Sequence, residues 1–148
     1  MTTAASTRPT PAVLAARSPA RKRAADRLAA QLAPAVLAPG ERFRPLYDIA
    51  IRTSGMTART RLTALTLGTY ANGRSGRVAV QPGLHGLAAA TGLTVCQVIV
   101  ALRVLESRGW GRSTEPVNRE TAVLQPVIPT HSMSRARVQF AASQNGTV

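Results

Sequence analysis

The run Leu87-Ala88-Ala89-Ala90-Thr91-Gly92-Leu93-Thr94 constrains the fold of this chain more than any other stretch. Ahead of it, Leu84 to Ala90 predicts a short helix with Leu84, Leu87 and Ala88 facing inward. Behind it, Thr94 is placed to cap a longer helix reaching about Arg108. Val98, Leu102 and Leu105 recur on that helix at i, i+4 and i+7, the spacing of one buried face. Gly92 permits the positive φ that a three-residue turn needs. Ala88 is small enough for the two helices to approach closely. Leu93 fills the angle between them, and Val98 and Leu102 pack back on the short helix.

The flanking sequence supplies the rest of a small domain. Thr57 is placed to cap a helix running to about Tyr70. Leu62, Leu65 and Thr69, with Leu62, Thr66 and Tyr70, follow helical spacing there, and Leu67 widens the stripe. Asn72-Gly73 ends that helix as residues tolerant of the left-handed region do, and opens a basic loop to Arg77. Val78-Ala79-Val80 reads as a brief strand. Gly109 stops the long helix. Trp110–Thr114 and Thr121–Val127 can then pair as a hairpin about a Glu115-Pro116-Val117-Asn118 turn, with Pro126 keeping the second strand short or at an edge. Upstream, Tyr47, Ile49 and Ile51 alternate with polar or small neighbours, which suggests a short strand; a helix is the competing reading. Ser18-Pro19 looks like the start of a basic helix over 19–33, stopped by Pro34. That helix is read equally as an arm that orders on a polyanion or as a solvated linker. Residues 1–17 lack apolar period and residues 130–148 carry Ser, Asn, Gln, Gly and Arg, and both stretches are expected to be disordered. The chain therefore divides into a largely disordered basic arm (1–42), a folded domain (43–128) and a disordered tail (129–148).

Charge narrows the partner. The 148 residues carry 19 Lys and Arg against 6 Asp and Glu, a net charge of +13. All but Lys22 of the basic residues are Arg. GC-rich coding accounts for Arg in place of Lys but not for the shortage of acids. The excess is spread along the chain, with +6 over residues 1–55, +5 over 56–130 and +2 over 131–148. A polyanion is the implied partner, with nucleic acid first and an anionic membrane surface second. Aromatic residues make up 3%, which leaves the core to Ala, Leu, Val and Ile. It also argues against single-strand binding, which relies on stacking side chains. No run approaches the about 18 apolar residues of a membrane span. No signal peptide is expected from the N-terminal residues. The single Cys96 excludes an internal disulfide and fits a reducing compartment.

The segment from about Met56 to Val127 resembles a bacterial winged helix-turn-helix domain. The resemblance rests on the order of parts: a helix ending Tyr70-Ala71-Asn72-Gly73, a basic loop, the Leu-Ala-x-x-Thr-Gly-Leu-Thr turn, and a helix end Leu105-Glu106-x-x-Gly109-Trp110. The same order is similar to the N-terminal domains of phage and plasmid replication initiators. It is also similar to transcriptional regulators of the multiple-antibiotic-resistance type. The implied fold is mainly α with a small β-hairpin wing, a winged helix-turn-helix flanked by disordered tails. The resemblance implies that Thr94, Val95, Gln97, Ile99, Val100 and Arg103 face the major groove. Gln97 could then read adenine, Arg103 could reach guanine or a phosphate, and Val or Ile could touch a thymine methyl. Such helices usually carry more polar residues at these positions. The apolar Val95, Ile99 and Val100 are also what a protein-binding face or dimer seam would show. Arg108, Arg112 and Arg119 fall on the wing and its flank, Arg74 and Arg77 in the basic loop, and Arg59 and Arg61 at the start of the first helix.

Other chemistry is not supported. Cys96 reads as a small unreactive residue. His85 and His131 are far apart in sequence and have no second ligand pair, so no metal is expected. The acids show no close pairing for general acid and base work. No Gly-rich phosphate loop precedes a Lys-Ser/Thr helix. The expectation is a cytoplasmic, nucleoid-associated protein that binds double-stranded DNA, with no enzymatic activity, no cofactor and no membrane. A transcriptional regulator comes first. A replication or maintenance factor of a plasmid- or phage-like element, or a protein-binding adaptor, are the alternatives, and a homodimer stays open.

Overall fold

The computed structural model describes residues 11–113 and 124–146. The chain divides into two compact units, residues 1–31 and 32–148. Helix α1, Pro11–Leu32, makes up the described part of the first unit. It starts earlier than the sequence suggests, within the stretch expected to be disordered, and Pro19 lies inside it. The Ala, Leu and Arg on both sides are strong helix formers and carry the helix through the proline. Every residue from 19 to 31 is exposed.

The second unit is mainly helical. Its elements are α2 (Phe43–Arg52), α3 (Ala58–Thr69), α4 (Gly83–Thr91), α5 (Val95–Ser107), β1 (Gly111–Ser113), β2 (Leu124–Pro126) and α6 (Thr130–Asn145). The two strands form an antiparallel sheet with Gly111 opposite Pro126, Arg112 opposite Gln125 and Ser113 opposite Leu124. The hairpin turn expected at 115–118, with Thr114 and residues 121–123 of the expected strands, lies outside the described residues. No single helix among the described residues is long and apolar enough to cross a membrane.

Four expectations are corrected here. The first is the strand at 47–51, which is helix α2. Phe43, Leu46, Tyr47, Ala50 and Ile51 are all buried, at i, i+3, i+4, i+7 and i+8. That full set has helical period, whereas the alternation takes in only Tyr47 and Ile51 of it. The second is Val78-Ala79-Val80, which forms only an isolated bridge from Val78 to Ala71. The third is the tail, which is the 16-residue helix α6, with Met133 and Ala136 buried. Met133, Ala136 and Phe140 share one helical face in an otherwise polar segment, too sparse a stripe to stand out. The fourth is the arm boundary. Ala35 N–H donates to Ile128 O at 2.8 Å, and Thr130 donates to Ala33 O through both N–H and hydroxyl. Residues 33–42 thus belong to the folded unit.

Helix α3 forms where expected, capped by Thr57, which accepts from Thr60 N. Its buried face differs from the expected one. Thr60, Thr63, Ala64, Leu67 and Gly68 are buried, while Leu62 and Tyr70 are exposed. The reason is Tyr47 of α2, a fully buried ring that needs a surface of small residues. Its hydroxyl donates to Ala64 O at 3.3 Å. A Cβ at Gly68 would sit 3.0 Å from that ring. Burial pushes the Tyr47 hydroxyl well above the usual phenol range. Thr63 satisfies its own hydroxyl on Arg59 O at 3.0 Å, as helical Thr can.

The centre of the core is aromatic despite the low aromatic content. Phe43 stacks on Tyr47 at 4.9 Å between ring centroids, and Trp110 meets Tyr47 edge-on at 6.4 Å. Leu67, Leu87, Val98 and Leu105 surround them. Helix α6 packs chiefly on α2. There Arg137 donates to both oxygens of Glu41 at 2.7 and 2.9 Å, a bidentate pair of fixed geometry.

Candidate nucleic-acid interface

Helices α4 and α5 turn through 102° at a short break. Each residue of the break has a local role. Thr91 Oγ1 donates to Leu87 O at 2.6 Å and accepts from Leu93 N at 3.3 Å. Gly92 takes φ 70°, the left-handed region, so a Cβ there would be strained even though the space around it is open. Thr94 begins α5 with a capping box. Its hydroxyl accepts from Gln97 N at 3.3 Å, and Gln97 Oε1 accepts from Thr94 N at 3.0 Å. Two free helix N–H groups are thereby satisfied reciprocally.

The far end of α5 is closed as firmly. Gly109, at φ 76°, donates to Glu106 O at 3.1 Å, and Trp110 N donates to Leu105 O at 2.8 Å. These are the two bonds of a Schellman motif. Trp110 is buried and anchors the chain as it enters β1. The sheet therefore leaves α5 at a fixed point.

Val98, Ala101, Leu102 and Leu105 form the buried side of α5. Val95 and Ile99 are half-buried and spend part of their surface on the core. The exposed face carries Cys96, Val100, Arg103, Glu106 and Ser107. Thr94 is exposed at its start. Gln97 is half-buried and commits its side-chain oxygen to the cap. The apolar side chain left outside is chiefly Val100, at 62% exposure. Arg103 is the one cation on α5 ahead of its C-cap, Arg108.

The basic loop is ordered by Asn72. Its side-chain oxygen accepts from Arg74 N and Ser75 N at 2.9 and 3.1 Å, and its backbone N–H donates to Arg77 O at 2.8 Å. The backbone of the loop also accepts from the start of α2, Phe43 N on Arg74 O and Arg44 N on Gly73 O. Gln125 of β2 holds the other side: Val78 N donates to its Oε1, and its Nε2 donates to Gly76 O. Arg112 stands directly across the sheet from Gln125. Arg74 and Arg77 are thus brought beside the strand that pairs with the strand of Arg112. Reasoning from the sequence missed Gln125, because a lone Gln in a strand gives no signal until its partners are known.

Arg74, Arg77, Arg103, Arg108 and Arg112 are all exposed. None makes a side-chain hydrogen bond or ion pair among the described residues. Arg44 and Arg137 are different, being held by Asp48 and Glu41. Arg59 is exposed at the start of α3, while Arg61 donates to Arg52 O at 3.1 Å. Arg119 lies outside the described residues. Among the described residues, no group of three or more His, Cys, Asp or Glu side chains gathers as metal ligands would. Compared with protein-family models, curated proteins and solved structures, the chain shows no significant match.

Proposed function

We propose that this chain is a winged helix-turn-helix protein that binds double-stranded DNA, with α5 entering the major groove and the β1–β2 hairpin as the wing. The observation that carries the reading is the 102° turn between α4 and α5 across a capped three-residue break, followed directly by an antiparallel hairpin bearing an exposed Arg112. Helix-turn-helix motifs cross at about 90–120°. The unpaired arginines fit a backbone role: Arg112 and the loop arginines would hold phosphates, and Arg103 would reach a guanine edge or a phosphate.

Sequence discrimination on this reading is modest. The exposed face of α5 offers one guanidinium, a carboxylate and Val100. One good bidentate pair is worth about 1–3 kcal/mol of discrimination, so phosphate attraction dominates affinity. Regulation of transcription is the role proposed first, and replication or maintenance of a mobile element is the alternative within the same chemistry. Either role places the protein with the nucleoid in the cytoplasm. The adaptor reading loses support, because Val95 and Ile99 spend part of their surface on the core.

Binding of a labelled duplex by Arg103→Ala and Arg112→Ala tests this. Arg112→Ala should weaken all sequences alike, and Arg103→Ala should also flatten any sequence preference. Duplex affinity unchanged in both variants contradicts the reading. Selection from a random duplex library would show whether a motif exists, and a palindromic one would indicate a dimer.

A further inference from the structure

A second cluster of positive charge lies away from the exposed face of α5. Arg108, the C-cap of α5, and His131 and Arg135 of α6 line a cavity of about 220 Å³. Ser132 stands in its wall, and the buried Ala50, Met56 and Trp110 form an apolar floor. No carboxylate lines it. Neither Arg108 nor Arg135 makes a side-chain hydrogen bond or ion pair among the described residues. Glu41 is committed to Arg137 and Asp48 to Arg44, and Glu106, two residues before Arg108, does not line the cavity. Helix α6 enters beside the cavity with no acid in its first turn, so no negative side chain there competes with an anion.

Two guanidiniums lining one small cavity repel each other. An anion between them removes the conflict. The volume bounds its size, since sites for larger organic ligands run to about 300–1,000 Å³. We infer that this cavity binds a small free oxyanion of the phosphate class, either inorganic phosphate or a compact phosphate ester. Arg108 and Arg135 donate to its oxygens in the forked geometry that guanidinium supplies, and the Ser132 hydroxyl donates a further bond. Arg108 immediately precedes the Gly109-Trp110 closure, so the bound anion ties the end of α5 to the start of α6. The site does not depend on the DNA-binding reading.

Calorimetric titration of the full chain with inorganic phosphate, against chloride at equal ionic strength, tests the inference. Saturable binding to one site is expected. Arg108→Gln and Arg135→Gln should each weaken it by about tenfold or more, with circular dichroism unchanged because both side chains are exposed. Arg103→Gln should bind phosphate as the unaltered chain does. Absence of saturable binding, or equal weakening by Arg103→Gln, overturns the assignment. A duplex titration without phosphate separates the two sources of phosphate. Arg135→Gln should bind duplex normally; weakening comparable to that of Arg112→Ala would make the cavity a DNA-backbone site and overturn the free-anion assignment. Phosphate binding without any duplex binding would leave this site standing and remove the DNA-binding reading alone.

Discussion

The Val78 backbone N–H donates to Gln125 Oε1 across 3.2 Å, joining residues 47 positions apart in the chain. The amide nitrogen of the same side chain donates to Gly76 O. One half-buried glutamine on β2 therefore fixes the end of the basic loop. Gln125→Leu keeps the bulk but strands the Val78 N–H and the Gly76 carbonyl, at a cost of about 1–3 kcal/mol. Hydrogen exchange at the Val78 amide should accelerate in that variant. Exchange as slow as in the unaltered chain would show that the loop is held by its Asn72 bonds alone.

Gly68→Ala should destabilise the fold although it improves helix propensity. The propensity gain is at most about 1 kcal/mol. The new methyl would meet the Tyr47 ring at 3.0 Å, and Tyr47 is fully buried between Phe43 and Trp110 with nowhere to move. Overpacking of this kind costs about 1–3 kcal/mol, so the net effect is a loss. A lowered urea midpoint checks it.

Helix α6 is part of the core and can be tested as such. Ala136 is fully buried against α2. Ala136→Asp would place an unpaired carboxylate there, and such changes cost several kcal/mol. Thermal unfolding should drop sharply or the fold should be lost. The exposed neighbour change Ser134→Asp should leave the melting temperature nearly unchanged.

The Glu41–Arg137 pair sets an acid-side dependence. The Arg137 guanidinium, with a bond from Ala38 N, holds the Glu41 carboxyl below its ordinary value of 4.5. A lowered folded-state value means that the contribution is complete above about pH 4.5 and is lost as pH falls through the lowered value. The difference in melting temperature between the unaltered chain and Glu41→Gln should be constant above that pH and shrink below it. A difference that widens on acidification would reverse the sign of this account.

How much of this was legible in the sequence depended on where the signal lay. The α4–α5 unit was legible nearly residue by residue. Gly92, the Thr94 cap, the Val98-Leu102-Leu105 stripe and Gly109 are each dictated by local backbone needs. The face of α3 was not, because its burial is set by Tyr47 and selects Thr60, Thr63 and Gly68 over Leu62. Helix α6 was hidden because three apolar residues in a polar segment suffice when α2 offers a matching surface. Val95 and Ile99 are half-buried, and such positions flanking the core stripe cannot be told from outward ones by spacing. The arginines were visible as charge, but only the fold separates Arg44 and Arg137, held by carboxylates, from Arg103 and Arg112, which are not.

The central claim is that these unpaired arginines neutralise duplex phosphates. Fluorescence anisotropy with a labelled duplex across a salt series measures it most directly. Each neutralised phosphate contributes about −0.9 to the slope of log K against log salt. If Arg74, Arg77, Arg103 and Arg112 each contact one phosphate, the slope should be about −3 to −4. Binding that is absent at low salt, or independent of salt, would contradict the account.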